Sequence, residues 1–165
     1  MKILVLSDSH ASLRFMRQCV RHVRPDAVIH LGDYYDDGQV IQEENPHLLF
    51  WQVPGNCDRY RCPVSAAEIL SVTVCGIKVY MTHGHRHYVK QTLSYLLADA
   101  RASGAQIALF GHTHCTECRR EPDGLWVMNP GSCGGSGGSA GIVEAENQKI
   151  LSCRIIRQED LEELL

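Results

Sequence analysis

Five short motifs carry side chains that can bind metal ions, and most of these motifs also contain glycine. Imidazole nitrogens and carboxylate or amide oxygens, with no necessary thiolate, form a donor set that suits Mn, Fe, Ni or Zn better than Ca²⁺ or a structural zinc finger. In the motifs Asp8-Ser9-His10 and His112-Thr113-His114, alternate residues are donors, which would share one face of an extended segment. The sequence therefore predicts a transition-metal site. Its candidate ligands are Asp8, His10, Asp33, Asn56, His83, His112 and His114.

Each motif follows an apolar segment that is predicted to be a β-strand. In open α/β sheets, ligands bind in the crevice beyond the carboxyl ends of the strands. Motifs that are distant in the sequence can therefore converge on one site. The strands that precede the motifs are predicted at residues 2–6, 27–31, 48–53, 77–81 and 107–110.

The remaining patterns complete the predicted architecture. Apolar residues at helical spacing predict helices at 12–24 and 89–102, whereas residues 34–47 are predicted to be a polar loop. Alternating βαβ units followed by hairpins predict an α/β protein with two sheets and helices outside them, in one domain spanning residues 1–165. Further strands are expected at 69–74, 126–128, 141–144 and 150–156, with a short acidic helix from Glu159.

Composition limits the possible partners and locations. The chain has 165 residues, a formal charge of -3 and no basic excess, so a nucleic-acid polymer is not an expected partner, although a small anionic ligand is possible. No apolar run approaches the length of a membrane span and no signal sequence is recognisable, so we expect a cytoplasmic protein. The eight cysteines are expected to be reduced thiols. Cys115 and Cys118 lack the second pair that a zinc ribbon needs.

The five motifs, in this order, resemble those of the calcineurin-like metallophosphoesterase superfamily. Together with Asn129-Pro130-Gly131-Ser132, the short chain is similar to the small prokaryotic YfcE-like phosphodiesterases. The resemblance implies a four-layer αββα sandwich, often assembled as a homo-oligomer. It also implies hydrolysis of a small phosphodiester by a hydroxide that bridges two divalent transition-metal ions. We expect Mn²⁺, with Ni²⁺, Zn²⁺ or Fe as alternatives.

The resemblance also implies two sets of ligands that share one residue. Asp33 would bridge the two ions, and Asn56 would also help to place the phosphoryl group. The first ion would be held by Asp8, His10, Asp33 and His114, and the second by Asp33, Asn56, His83 and His112.

Two alternatives use the same residues differently. A non-catalytic scaffold would keep this fold as a binding surface for a protein partner, as the retromer subunit of the same architecture does. A scaffold is free to lose ligands, however, and this chain retains all seven. A mononuclear metal sensor would fit the donors but would leave the Asp33 bridge without a purpose.

Four titratable residues near the motifs are not part of the implied ligand set. His85 is expected either to support the metal site or to be a polar loop residue, and His87 to be solvated. Asp36 and Asp37 are expected to support the site or cap the loop rather than to bind the metal directly.

Cys57 occupies the position beside the metal-binding Asn where many members of the superfamily carry a histidine that acts as general acid. A thiol of unperturbed pKa near 8.5 should become a thiolate beside two metal ions, and a thiolate has no proton to donate. We therefore predict clear activity on aryl phosphodiesters and weak activity on alkyl monoesters. Cys57→His should extend hydrolysis to poorer leaving groups, with gains of up to about 10² to 10⁴. Equal kcat/KM for a matched aryl diester and alkyl monoester, or no gain in the variant, would contradict this prediction.

Overall fold

The computed structural model describes residues 1–135 and 137–162, whose strands form two mixed five-stranded sheets. In the first sheet the order is β10-β9-β1-β2-β3, and in the second it is β4-β5-β6-β8-β7. Strands β1, β2 and β3 are parallel neighbours, as are β5, β6 and β8. The bounds are β1 Lys2–Leu6, β2 Ala27–His30, β3 Leu49–Gln52, β4 Ile69–Val74, β5 Ile77–Thr82, β6 Ile107–Leu109, β7 Glu117–Arg120, β8 Trp126–Asn129, β9 Ser139–Glu146 and β10 Lys149–Arg157.

Successive side chains along a strand point to opposite faces of its sheet, one face toward the other sheet and one toward the helices. The protein therefore has four layers, which confirms the expected αββα sandwich. Ile3 and Val5 of β1 pack between the two sheets, whereas Leu4 and Leu6 face the outer helices of the first sheet. A third cluster, which includes Phe110, lies between the second sheet and its helix. Because the central strands are buried on both faces, they appear in the sequence as continuous apolar runs. The helices are α1 Leu13–Val23, α2 Tyr35–Glu44, α3 Ser94–Ala102 and α4 Gln158–Glu162.

Two helix predictions and one strand differ from the structure. Helix α2 occupies the predicted polar loop, because its few buried residues give little apolar periodicity and its first turn is held by a distant carboxylate described below. Helix α3 begins at Ser94 rather than at Val89, because the chain bends through a hydrogen-bonded turn at Tyr88 that still buries Val89. Strand β7, which was not predicted, pairs antiparallel with β8.

All eight cysteines are free thiols in the structure. Cys118 of β7 and Cys153 of β10 both pack against the core between the sheets, whereas Cys115 is exposed. Within the described part of the chain, no helix combines the length and apolarity that crossing a bilayer requires.

Candidate metal centre

The predicted ligands converge where the two sheets meet. β1, β2 and β3 of the first sheet and β5 and β6 of the second each end immediately before one of the five motifs. The carboxyl edges of both sheets therefore supply one site from two directions, as the strand exits predicted.

The first donor group consists of Asp8, His10, Asp33 and His114. One ligand atom from each of the four residues lies within 4.8 Å of the others. Nε2 of His114 is 3.0 Å from Oδ1 of Asp8, and Nε2 of His10 is 3.9 Å from Oδ2 of Asp33. The carboxylates are buried while the two imidazoles are partly exposed, so the group is open to solvent on one side.

The backbone brings these donors together differently from the extended segments that the sequence suggested. Asp8, His10, Asp33, His112 and His114 all have positive φ, between 43° and 66°. Non-glycine residues with such angles are uncommon, and they occur preferentially where the surrounding structure holds a functional site in a strained conformation. The donors of Asp8-Ser9-His10 and of His112-Thr113-His114 therefore do not converge by lying on one face of an extended strand.

The second donor group surrounds the fully buried His83. Its Nδ1 donates to the carbonyl of Leu31 at 2.8 Å, which directs Nε2 into the site. Nε2 lies 3.1 Å from Oδ1 of Asn56 and 3.6 Å from Oδ1 of Asp33. The ring of His112 is close, with centroids 5.0 Å apart. The second group is therefore a looser one of His83, Asn56, His112 and the same Asp33, whose imidazole and carboxylate atoms do not all lie within 4.8 Å of one another as those of the first group do.

Asp33 faces both groups with different oxygens. Oδ2 is the atom near His10, whereas Oδ1 is the atom near His83. Oδ1 also accepts the backbone N–H of Cys57 at 2.9 Å. Burial alone would raise the pKa of Asp33, but the neighbouring His83 and the hydrogen bond from Cys57 outweigh burial and lower the pKa. Asp33 is thus an ionised carboxylate at neutral pH.

Asp8 has one satisfied and one unsatisfied oxygen. Oδ2 accepts the Ser7 hydroxyl at 2.5 Å and the His112 backbone N–H at 3.1 Å. Oδ1 is buried and accepts no hydrogen bond from the described residues, although it is the atom near His114. Because an unpaired buried carboxylate oxygen is costly, this atom fits direct contact with a cation. The residues present therefore suit a divalent metal.

Burial favours the neutral form of two imidazoles at the site, those of His112 and His85. Burial, then His83 and Lys90, lowers the pKa of His112 to about 4. Burial and then His83 lower the pKa of His85. Since only a neutral imidazole has a lone pair for a metal, His112 can bind an ion at neutral pH without first losing a proton.

Two glycines allow the loops to approach closely enough. A Cβ on Gly55 would lie 2.1 Å from Oδ1 of Asp33, and a Cβ on Gly111 would lie 2.0 Å from Oγ of Ser7. Gly55 follows a strand of the first sheet, and Gly111 follows a strand of the second. Gly55 and Gly111 therefore provide space for neighbouring side chains rather than a special turn.

Asp58 is a buried residue whose role the sequence analysis missed. Its carboxylate accepts four backbone N–H groups, from Asp33 at 2.9 Å, Tyr34 at 2.7 Å, Tyr35 at 2.9 Å and Gly55 at 2.7 Å. It therefore fixes the loop that carries Asp33 and holds the first turn of α2. Its place in the motif Gly55-Asn56-Cys57-Asp58 was the available signal, but its partners are distant in sequence.

Asn129 has a similar role in the second sheet. Its side-chain amide donates to the carbonyl of Gly111 at 3.0 Å and to the hydroxyl of Thr113 at 2.9 Å, and its Oδ1 accepts the N–H of Gly131. The motif that carries His112 is thereby held against the end of β8. Only the resemblance had drawn attention to this segment.

The structure also places the four neighbouring titratable residues. The prediction that His87 is solvated is wrong, since it is buried and hydrogen-bonds to Tyr80 at 3.0 Å and Asp99 at 3.1 Å. Asp37 accepts the backbone N–H of Ala11, and Asp36 pairs with an exposed arginine, so neither is among the donors. The ring of His85 lies near that of His83, with centroids 5.5 Å apart and an angle of 55° between the ring planes.

Cys57 is exposed beside Asn56, and its Sγ lies 3.5 Å from the Asn56 amide nitrogen. Burial and then the Asp33 carboxylate raise the pKa of the thiol. The fall in pKa expected from the sequence would therefore have to come from bound metal ions.

Comparison with known proteins identifies the family. Residues 1–148 match the model of the calcineurin-like phosphoesterase superfamily domain, and the chain belongs to this superfamily. A probable metallophosphoesterase of Mycoplasma pneumoniae is 34% identical over 134 residues, which cover 79% of this chain and 78% of the relative.

Solved structures agree with the fold. A predicted phosphoesterase from Streptococcus pneumoniae is 28% identical, with a TM-score of 0.71 over 88% of this chain and 83% of its own. The phosphoesterase YfcE of E. coli is 21% identical, with a TM-score of 0.63 over 93% of this chain and 98% of its own. At the latter identity the likeness shows the fold alone.

The four hydrogen bonds to Asp58 predict the effect of removing its charge. Asp58→Asn replaces one accepting oxygen by a donor, so the free energy of unfolding should fall by about 3 kcal/mol. Displacement of Asp33 should also weaken Mn²⁺ binding. The measurements are urea unfolding and Mn²⁺ titration of both proteins.

Asp36→Asn is the matched control, because Asp36 makes an exposed ion pair with Arg61. Its effect on unfolding should stay below about 1 kcal/mol. Equal losses in the two variants would show that Asp58 does not organise the site.

Proposed function

We propose that this chain is a phosphodiesterase that uses two divalent metal ions. The observation that carries the proposal is the position of Asp33, whose two oxygens face two different groups of donors. A mononuclear site would require only one of the groups. The chain's membership of the calcineurin-like phosphoesterase superfamily supports the same function.

The proposal assigns the two ligand sets that the resemblance implies to the two donor groups. In the proposal, two Mn²⁺ ions occupy them, with Ni²⁺, Zn²⁺ or Fe as alternatives, since all donors are nitrogen or oxygen. When bound, such a pair of ions lowers the pKa of a water molecule and stabilises the charge on phosphoryl oxygens. The first set is Asp8, His10, Asp33 and His114, and the second set is Asp33, Asn56, His83 and His112.

The charge of the site favours a phosphate ester as substrate. Asp8 and Asp33 are the carboxylates among the donors, and His112 is neutral because burial lowers its pKa. Two divalent ions exceed the charge of two carboxylates, so the loaded site is cationic within a chain of net charge -3. A negatively charged phosphoryl group complements this local charge.

Two separate cavities adjoin the donors, which favours a diester over a monoester. One of about 520 Å³ begins at His114 and includes Ser132 and Arg157. The other, of about 560 Å³, begins at Asn56 and His85. A phosphodiester has two substituents that need space, whereas a monoester has one.

Asn56 and Cys57 are the chain's own candidates for contact with the reacting group. If Oδ1 of Asn56 binds metal, its exposed amide, which donates one N–H to Sγ of Cys57, has a second N–H for a phosphoryl oxygen. Cys57 lies next to it, where a thiol is a weak hydrogen-bond donor. Asn56 therefore positions the phosphoryl group. Cys57 donates a proton to the departing oxygen only weakly, which restricts the enzyme to good leaving groups.

Metal content and activity together test this proposal. The protein should bind two ions per chain by elemental analysis and hydrolyse bis(4-nitrophenyl) phosphate only when loaded. Asp33→Ala should lose both ions, whereas His114→Ala should retain about one, and kcat/KM should fall by roughly 10³ or more in Asp33→Ala.

His22→Ala is the control, since His22 is an exposed histidine in the last turn of α1. It should retain both the ions and the activity. At most one ion per chain in the unmodified protein, or loss of both ions in His114→Ala but not in Asp33→Ala, would contradict the proposal. A loaded protein that hydrolyses no phosphodiester would instead favour the scaffold alternative.

A further inference from the structure

The cavity beside Asn56 has a chemical character of its own. It extends from Asn56 and His85 to residues outside the five motifs, and it holds about 560 Å³, within the range of small-molecule pockets. Its outer wall includes Arg59, Glu68, Arg86 and Tyr88. We call this cavity the Arg59 groove.

One of the two arginines in the Arg59 groove has its charge balanced, and the other does not. Nε and Nη2 of Arg86 donate to the Glu68 carboxylate at 2.7 and 3.2 Å. Arg59 makes no ion pair within residues 1–135 and 137–162, and its guanidinium lies 5.4 Å from the exposed ring of Tyr60. Glu68 therefore balances Arg86, and Arg59 gives the groove a positive charge that no acidic side chain of the described residues pairs with.

An exposed aromatic ring also lines the Arg59 groove. Tyr88 is 63% exposed and has a φ of 54°, unusual for a bulky side chain. Its ring packs edge-on against Tyr95, with centroids 6.3 Å apart. The backbone turn and this contact hold the ring in place, where it can stack against a planar group.

A cation and an aromatic ring in one groove recognise a substituent that is both anionic and planar. A guanidinium binds phosphate through two parallel hydrogen bonds, and an aromatic side chain stacks on a nucleobase. A nucleotide that carries a phosphate in addition to the reacting diester has both features.

We propose that the Arg59 groove binds a nucleotide substituent of the substrate and that Arg59 selects diesters whose substituent bears a second phosphate. This proposal rests on the phosphodiesterase function proposed above. It makes Arg59 and Tyr88 specificity-determining residues. Arg59 would bind the second phosphate, and Tyr88 would stack on the nucleobase.

Two substrates that differ by one phosphate test the role of Arg59. Thymidine 5′-(4-nitrophenyl phosphate) and its 3′-phosphorylated form release the same nitrophenolate. The unmodified, metal-loaded protein should prefer the 3′-phosphorylated ester by about tenfold or more in kcat/KM, since hydrogen bonds to charged groups are strong. Arg59→Gln should reduce the preference to about unity while the plain ester changes little, and Arg59→Lys should restore part of it.

Arg21→Gln is the matched control, because Arg21 lies in the last turn of α1, away from the carboxyl edge of the sheet. It should keep the full preference. Tyr88→Ala should lower kcat/KM for both thymidine esters but not for methyl 4-nitrophenyl phosphate, which has no base. A preference absent from the unmodified protein, or retained in Arg59→Gln, would overturn the proposal.

A measurement of nucleotide binding distinguishes failure of this inference from failure of the proposed phosphodiesterase function. If no ester is hydrolysed, the phosphodiesterase function fails, but the Arg59 groove can still be measured. Thymidine 3′,5′-bisphosphate should then bind the metal-loaded protein about tenfold more tightly than thymidine 5′-phosphate, and Arg59→Gln should remove the difference. Equal dissociation constants in the unmodified protein would overturn the proposal.

Discussion

The burial of two carboxylates at one point between the sheets is the constraint on which the rest of the site depends. Asp8 and Asp33 lie within one donor group of 4.8 Å, and one oxygen of Asp8 has no hydrogen-bond partner among the described residues. Like charges in such a position repel, and burial of either is costly without a compensating cation. The backbone N–H groups, the neutral imidazoles and the space left by Gly55 and Gly111 all support this arrangement.

The fold explains why the sequence revealed so much of the site. Four of the five motifs follow a buried strand, and buried strands are recognisable as continuous apolar runs. The convergence of Asp8, Asp33 and His83 was therefore expected from their places at the carboxyl ends of predicted strands. The alternating βαβ units predicted sheets with helices outside them, while the four layers came from the resemblance to a known superfamily.

What the sequence could not reveal depends on long-range contacts. Helix α2 has little apolar periodicity, and its first turn is held by Asp58, which lies in a different motif. His87 resembles a polar loop residue until the turn at Tyr88 folds it against Tyr80 and Asp99. The positive φ of the ligands likewise results from packing between loops, so spacing within one motif could not predict it.

Anomalous diffraction from crystals of the Mn²⁺-loaded protein tests the central claim most directly, because it locates each ion relative to Asp33. The account predicts two manganese peaks roughly 3.5 to 4 Å apart, with one Asp33 oxygen bound to each. Asp8, His10 and His114 should surround one peak, and Asn56, His83 and His112 the other. A single peak, or two peaks of which only one contacts Asp33, would contradict it.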